Sequence, residues 1–505
     1  MLARLAELPL LVVLLAIAGV LALVPAVHGL AVLDFAVARD FFYSALVLLI
    51  LSAMLGLATA AFSPRDPAQS QLASLVGAYL ALPFAFLLPW GQALPDTTFV
   101  NAWFEMTSSF TTTGATVYEA DRLSDTLHLW RAIVGWYGGF LILLAAYGIL
   151  APLSLGGFEV ASGRVPGRRA VATTQAQRLA EPAQRLGRWA LRLLPVYAGL
   201  TLALWIGLMM AGEGSTTALI QSMGTLSTSG ISGQSDLSDR ISGFPGEALI
   251  FVFFLFALSR RAFPVPGIGT AQGGLLADPE LRLALQILGL VLILLFFRHW
   301  FIRGNADDID SLHEALASLW GVLFTAASFL TTTGYVSADW QTAADWSGIG
   351  TPGMILLGLA ILGGGIATAA GGVKLLRIYA LLRHGKRELE RIIHPSSVGG
   401  GGPDLRRLLQ EGAQLAWVFF MLFAISIAIV VGVLTLLGLS FEPALVLAIA
   451  ALTTTGQLAD LGAAAPIVYS DLSGSVKLVL GLAMVLGRLE TLALLAFLLP
   501  ARGRR

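Results

Sequence analysis

The sequence predicts an all-α polytopic membrane protein: four pseudo-symmetric helix–loop–helix repeats around one axis, preceded by two extra transmembrane helices. Three observations predict it. The 505-residue chain is 56% hydrophobic and only 12% charged, with mean hydropathy +0.80, against roughly 25% charged residues in soluble domains. One polar phrase recurs four times in apolar surroundings, as "FTTTGATV", "LSTSGISG", "FLTTTGYV" and "LTTTGQLA". Basic residues cluster behind each copy of the phrase, on what would be one side of a membrane.

The elements follow in chain order. Apolar stretches long enough to cross a hydrocarbon core lie near 8–28, 41–62, 71–90, 130–153, 189–211, 245–263, 281–302, 351–383, 414–438 and 475–499. Such a crossing takes ~20 residues. The first stretch resembles a signal peptide in composition. It reads as the first span, because a helical bundle follows and no small-x-small cleavage site is evident. The stretch 351–383 is interrupted by glycines and is not expected to be one helix. Four shorter segments, 98–111, 215–227, 312–331 and 442–453, read as re-entrant helices. Each ends at the repeated phrase. The chain therefore divides into two leading helices (1–68) and repeats over 69–163, 164–264, 265–396 and 397–505. The spacing of Gly114, Gly230, Gly334 and Gly456 suits repeats related by an axis along the membrane normal.

Arginine placement gives the orientation. Arg4 and Arg65 flank the leading helices. Arg164, Arg168, Arg169, Arg178, Arg185, Arg188 and Arg192 follow the first repeat, and Arg260 and Arg261 the second. Lys374, Arg377, Arg383, Lys386, Arg387 and Arg391 follow the third, and Arg502, Arg504 and Arg505 the fourth. The opposite loops carry Asp236, Asp239, Asp307, Asp308 and Asp310. The basic ends are then cytoplasmic, and all four short helices enter from outside.

Several classes are excluded. Zero net charge gives nothing for nucleic acid to bind. No cysteine is present, so thiolate metal sites and disulfides are impossible. His28, His128, His299, His313, His384 and His394 form no pair at metal-ligand spacing on one helix. "SVGGGGPD" at 397–404 lacks the phosphate-loop pattern, and "GIGTAQGG" at 267–274 follows a span rather than a strand. No nucleophile–base pattern is evident, which argues against a polytopic membrane enzyme.

The phrase itself points to a pore. Non-helical backbone at membrane depth is tolerated only where protein buries it or water lines it. Four copies about one axis would meet as a ring. Glycine lets carbonyls turn to that axis, Thr and Ser add hydroxyl oxygens, and each short helix aims its partly negative C-terminal end inward. Carbonyl rings of this kind replace a cation's water shell, as in potassium channels.

With these features the chain resembles the Trk/Ktr/HKT superfamily of potassium transporters, and within it the bacterial TrkH branch. The resemblance runs over nearly the whole chain. It is carried by "FEMTSSFTTTGATV" (104–117), "TLSTSGIS" (225–232), "SFLTTTGYVSADW" (328–340), "GGGIATAAGGVKLLRI" (363–378) and "MVLGRLETLALLAFLLP" (484–500). It implies four helix–pore loop–helix repeats around one pore, and potassium uptake across the bacterial cytoplasmic membrane. It implies a homodimer with one pore per subunit and a cytoplasmic TrkA-type nucleotide-binding regulatory subunit. No covalent cofactor is expected, and a nucleotide would act only through that partner. Potassium-binding filter residues carry over to Thr112, Thr113 and Gly114; Thr228, Ser229 and Gly230; Thr332, Thr333 and Gly334; and Thr454, Thr455 and Gly456. In the family a serine in place of the first glycine accompanies sodium permeation, so Gly114 implies potassium. The fourth phrase departs from the branch, with "TTTGQL" where an Asn-rich phrase is usual. "ALSRRAFPVPGIGTAQGG" after the second repeat is a looser match.

Gly363, Gly364, Gly365, Gly371 and Gly372 admit two readings: tight packing of small residues, or an intramembrane loop that gates the pore over 363–372. The resemblance favours the gate. Arg488 also admits two: an ion pair with Glu490 or another acid, or the family's position below the filter, where its charge opposes a passing cation. Glu105 either ties backbone amides behind the filter or attracts cations to its mouth. Lys374 and Arg377 read as ordinary cytoplasmic anchors. Few acids are visible inside the spans, which favours a channel-like mechanism over the alternative, a sodium- or proton-coupled symporter.

Overall fold

A computed structural model describes residues 9–60, 67–153, 155–158, 160, 182–233, 241–265, 274–303, 312–394 and 412–490. The basic residues within 161–181, the acidic loop residues Asp236, Asp239, Asp307, Asp308 and Asp310, segments 267–273 and 397–404, and Arg4, Arg65, Arg502, Arg504 and Arg505 lie outside them.

Eight helices among the described residues are long and apolar enough to cross a membrane. The leading pair is α1 (Leu10–Ala31) and α2 (Phe35–Thr59), packed against each other. Asp34 starts α2 by accepting a hydrogen bond from the Val37 amide, which satisfies one of the free amides of the first turn. The first repeat is α3 (Pro67–Ala93), α4 (Phe99–Phe110) and α5 (Asp125–Leu153). The second is α6 (Pro182–Met210), α7 (Ser215–Ser227) and α8 (Gly243–Leu258). The third is α9 (Pro279–Arg303), α10 (Leu312–Leu330), α11 (Trp340–Ser347), α12 (Gly353–Leu362) and α13 (Leu375–Ile393). The fourth is α14 (Ala413–Leu436), α15 (Phe441–Leu452), α16 (Leu458–Leu461) and α17 (Gly474–Leu489).

The four short helices α4, α7, α10 and α15 stand where the repeated phrase predicts them. Each is flanked by the helix that follows the previous turn. Helix α5 packs on α7, α8 on α10, α12 on α15, and α17 returns to α4. The order closes on itself, so the repeats form a ring. Burial follows the same plan. Of the apolar window of α5, 94% is buried, against 28% for those of α6 and α14. The latter expose Leu202, Ile206, Ile425 and Ile429, apolar side chains suited to a lipid face rather than to water.

Three details differ from the sequence reading. Helix α10 is 19 residues long and passes as a span by hydropathy, yet it ends at the ring as its shorter counterparts do. Helix α11 has no counterpart among the predicted elements. The span expected over 245–263 stops at Leu258, because Ser259 is extended (φ −141°, ψ 123°) and ends the helix. The break expected within 351–383 is present: twelve residues of loop separate Leu362 from Leu375.

Candidate functional site

Up to the glycine, all four phrases fold in one way. The second residue of each, Thr112, Thr228, Thr332 and Thr454, is left-handed, with φ of 57°, 55°, 56° and 55°. This residue closes the preceding short helix in a Schellman motif. In the first repeat the Thr112 amide donates to Ser109 O (3.0 Å) and the Thr113 amide to Ser108 O (2.8 Å). The same pair of bonds recurs at Thr228 and Ser229, Thr332 and Thr333, and Thr454 and Thr455. Glycine usually fills such a position, and a β-branched residue there is an outlier. Strain of this kind costs about 1–3 kcal/mol per residue and tends to mark ligand clamps.

The phrase spaces its hydroxyls for this turn. Those of the first and third residues join each other, as Thr111 to Thr113, Ser227 to Ser229 and Thr331 to Thr333, each at 2.9 Å, and Thr453 to Thr455 at 3.3 Å. The first also donates back to its helix, as from Thr111 to Thr107 O (2.8 Å) and from Thr453 to Ile449 O (2.8 Å). The second hydroxyl is left over. Those of Thr112, Thr228 and Thr454 are buried without a hydrogen-bond partner among the described residues. That of Thr332 accepts from the Gly371 amide (2.7 Å).

The glycines then interlock around the ring. A Cβ on Gly114 (φ 73°) would strike the carbonyl of Ser229, and one on Gly230 (φ 61°) that of Thr333. One on Gly334 (φ 84°) would meet the Gln457 side chain, and one on Gly456 the backbone of Ala115. Repeat one touches two, two touches three, three touches four, and four touches one. The predicted filter residues are thus all brought together. The fourth quadrant differs: Gly456 lacks the positive φ of the other three. Its amide donates to Thr113 O (2.7 Å), and its carbonyl accepts from Tyr469 Oη (2.9 Å) and the Ala459 amide (3.2 Å).

Buried carboxylates fasten the ring from behind. Glu105 Oε1 pairs with Arg131 Nε (2.6 Å), while Oε2 accepts from the Val117 amide (3.0 Å) and the Thr116 hydroxyl (3.2 Å). Of its two sequence readings, the backbone tie is the one observed; the side chain is fully buried. Glu247 does the same for the third turn, accepting from Ala338 N, Ser337 Oγ and Trp320 Nε1 at 2.7–2.8 Å. Buried acids are more numerous than the sequence reading allowed: Glu213, Asp278 and Glu280 are also enclosed. Each of these is engaged by a backbone amide.

Residues 363–374 form a buried loop across the inner side of the ring. Gly371 lies against Thr453 and Thr454 and reaches Thr332. Gly363 and Gly372 cross in contact, so neither has room for a Cβ. Gly364 and Gly365 press on the last carbonyls of α8, and the Gly365 amide donates to Ala257 O (2.9 Å). Glu280 accepts from the Ile366 amide (2.8 Å), Lys374 Nζ donates to Ala370 O, and Arg488 Nη1 donates to Ala369 O (2.6 Å). A cavity behind the loop is lined by Ile142, Gly371, Gly372, Lys374, Arg488 and Glu490.

Two charge readings are corrected. Lys374 and Arg377 are not surface anchors: they are 6% and 0% exposed. The broken helix turns them inward, and Arg377 Nη2 pairs with Glu490 Oε2 at 2.7 Å. The proposed partner of Arg488 is thereby taken. Arg488 sits in the last turn of α17 and faces the loop carbonyl and the cavity.

Comparisons with known proteins agree with this geometry. A family model described as "TrkH: Cation transport protein" matches residues 270–501. The Trk system potassium uptake protein TrkH of Vibrio parahaemolyticus is 30% identical over 424 residues, 81% of each chain. Its Escherichia coli K12 namesake is 26% identical over 433 residues, 85% of this chain and 84% of that one. The crystal structure of the potassium transporter TrkH from Vibrio parahaemolyticus superposes with a TM-score of 0.79 at 25% identity, covering all of both chains.

Proposed function

The chain belongs to the TrkH cation transport family, and from that premise we propose that its ring of four turns is the filter through which it takes up potassium. Its activity is transport of an ion, not catalysis. The observation that carries the filter reading is the closed circuit of contacts through Gly114, Gly230, Gly334 and Gly456, each behind a left-handed threonine. Carbonyls held in fixed outlines, with hydroxyls below them, can replace the water of a monovalent cation without a full charge in the path. Residues 69–163, 164–264, 265–396 and 397–505 are the four quadrants of that filter.

The loop 363–372, with Arg488, acts as the gate on the cytoplasmic side. Its contacts with Thr332 and Thr454 support this reading. A homodimer in the bacterial inner membrane, controlled by a TrkA-type nucleotide-binding subunit, completes the assembly. The engagement of the buried acids by backbone amides supports channel-like permeation. Reversal potentials across sodium and proton gradients test it, since a coupled symporter would shift with either gradient.

Glycine substitutions test the filter. In liposomes, Gly114→Ser and Gly230→Ser are expected to lower the potassium/sodium permeability ratio by on the order of tenfold, equivalent to about 1.4 kcal/mol of lost discrimination. Both force a carbonyl of the next repeat to move. Gly334→Ser should be the mildest, because its new Cβ meets the side chain of Gln457 rather than backbone. Equal, unchanged ratios in folded, active variants would refute the filter.

A further inference from the structure

The fourth turn carries an oddity that the repeat does not explain. Ala115, Ile231 and Tyr335 follow the glycine in the first three turns, and Gln457 follows it in the fourth. Gly456 has turned its carbonyl toward Tyr469 and Ala459. Into the glycine layer the fourth repeat sends a side chain instead. Gln457 Nε2 donates to Ser229 O and to Gly230 O, both at 3.2 Å. Cβ atoms on Gly114 and Gly230 would each lie 2.5 Å from that nitrogen, and one on Gly334 would abut Oε1. The carboxamide thus reaches three of the four quadrants. Its Oε1 is buried and has no hydrogen-bond partner among the described residues.

From this geometry we infer that Gln457 is a specificity-determining residue of the filter: its carboxamide is a tethered occupant of the glycine layer that each entering potassium ion displaces. The inference rests on the filter reading above. The carbonyls of Ser229 and Gly230 have only so many lone-pair directions, and the amide nitrogen holds the ones an ion would use. An ion entering the layer breaks both hydrogen bonds. The occupant weakens ion binding, which suits a filter that must release what it binds. Sodium, which holds its water shell more tightly than potassium, is worse placed to displace the amide.

The test is rubidium uptake into liposomes as a function of concentration, for parent, Gln457→Ala and Gln457→Met. Methionine keeps the bulk and removes the donor, so it covers the case in which alanine fails to fold. The half-saturating rubidium concentration is expected to fall roughly tenfold in both, the combined effect of two hydrogen bonds of ordinary net strength. The potassium/sodium ratio should fall with it. A half-saturating concentration that stays the same or rises, in folded protein, overturns the inference. Gly114→Ser, measured in the same vesicles, separates the two levels. If it lowers the permeability ratio while the Gln457 variants leave half-saturation unmoved, the filter stands and the tethered occupant falls. If neither moves, both fall.

Discussion

Replacing Arg488 by Gln is expected to raise rubidium uptake by on the order of tenfold at constant protein level. Two effects act in the same direction. A fixed unit charge at a separation on the order of 10 Å, with an effective dielectric constant of about 20, opposes a cation by about 1.7 kcal/mol. Removing it lowers the barrier by that amount and raises the rate by a factor of roughly 18. The substitution also releases the Ala369 carbonyl, which Arg488 holds at 2.6 Å, and so frees the middle of the loop proposed as the gate. The competing outcome, a buried acid left unpaired, is removed by the geometry, because Glu490 is held by Arg377. Arg488→Lys keeps the charge and should stay close to the parent. Uptake that is unchanged or lower in the Gln variant, measured with melting on the same preparation, would show that Arg488 is structural.

The largest loss of stability is expected from Arg377→Ala. This guanidinium is fully buried. It pairs with Glu490, donates to Val373 O at 3.1 Å and lies 3.6 Å over the ring of Phe419. It therefore ties together the end of the loop, helix α14 and the end of α17. Removing one partner of a buried pair costs about 3–5 kcal/mol, because the other charge stays behind. The variant should melt well below the parent in detergent and yield less folded protein. Arg377→Leu combined with Glu490→Leu should recover most of that loss, since an apolar pair leaves no charge unpaired. A double variant no more stable than Arg377→Ala would mean that the guanidinium acts through Phe419 and Val373 rather than through Glu490.

The contrast between these two arginines shows what a sequence can reveal here. The repeated phrase was legible because its chemistry is local. A turn that pairs its first and third hydroxyls needs Ser or Thr at both places, and the helix that precedes it needs an end. The glycine break after Leu362 was legible for the same reason. Arg377 was not. Charge counting treats a cation near a helix end as a surface anchor, and only the path of the chain after the break shows that this one points inward. Helix α10 was separable from a true span only by the phrase that ends it, since its hydropathy matches one. Glu213, Glu247 and Glu280 were passed over because their amide partners come from distant segments: Ser242, Ala338 and Ile366. The phrase "TTTGQL" stands out in the sequence as a departure, but the inward swing of Gln457 depends on the backbone of Gly456, which is set by Thr113 and Tyr469 in other parts of the chain.

That one quadrant can differ at all follows from the quadrants being a single polypeptide. In a ring of four identical chains, any residue placed after the glycine would appear four times. Four carboxamides could not share a layer in which one already touches three neighbours. Fusion of the repeats into one chain removes that restriction. In the proposed filter each oxygen of the ring is separately heritable, and a point substitution changes one ligand out of four instead of all of them. Ion affinity in such a protein can be adjusted in single-ligand steps, a finer scale than any symmetric tetramer can reach.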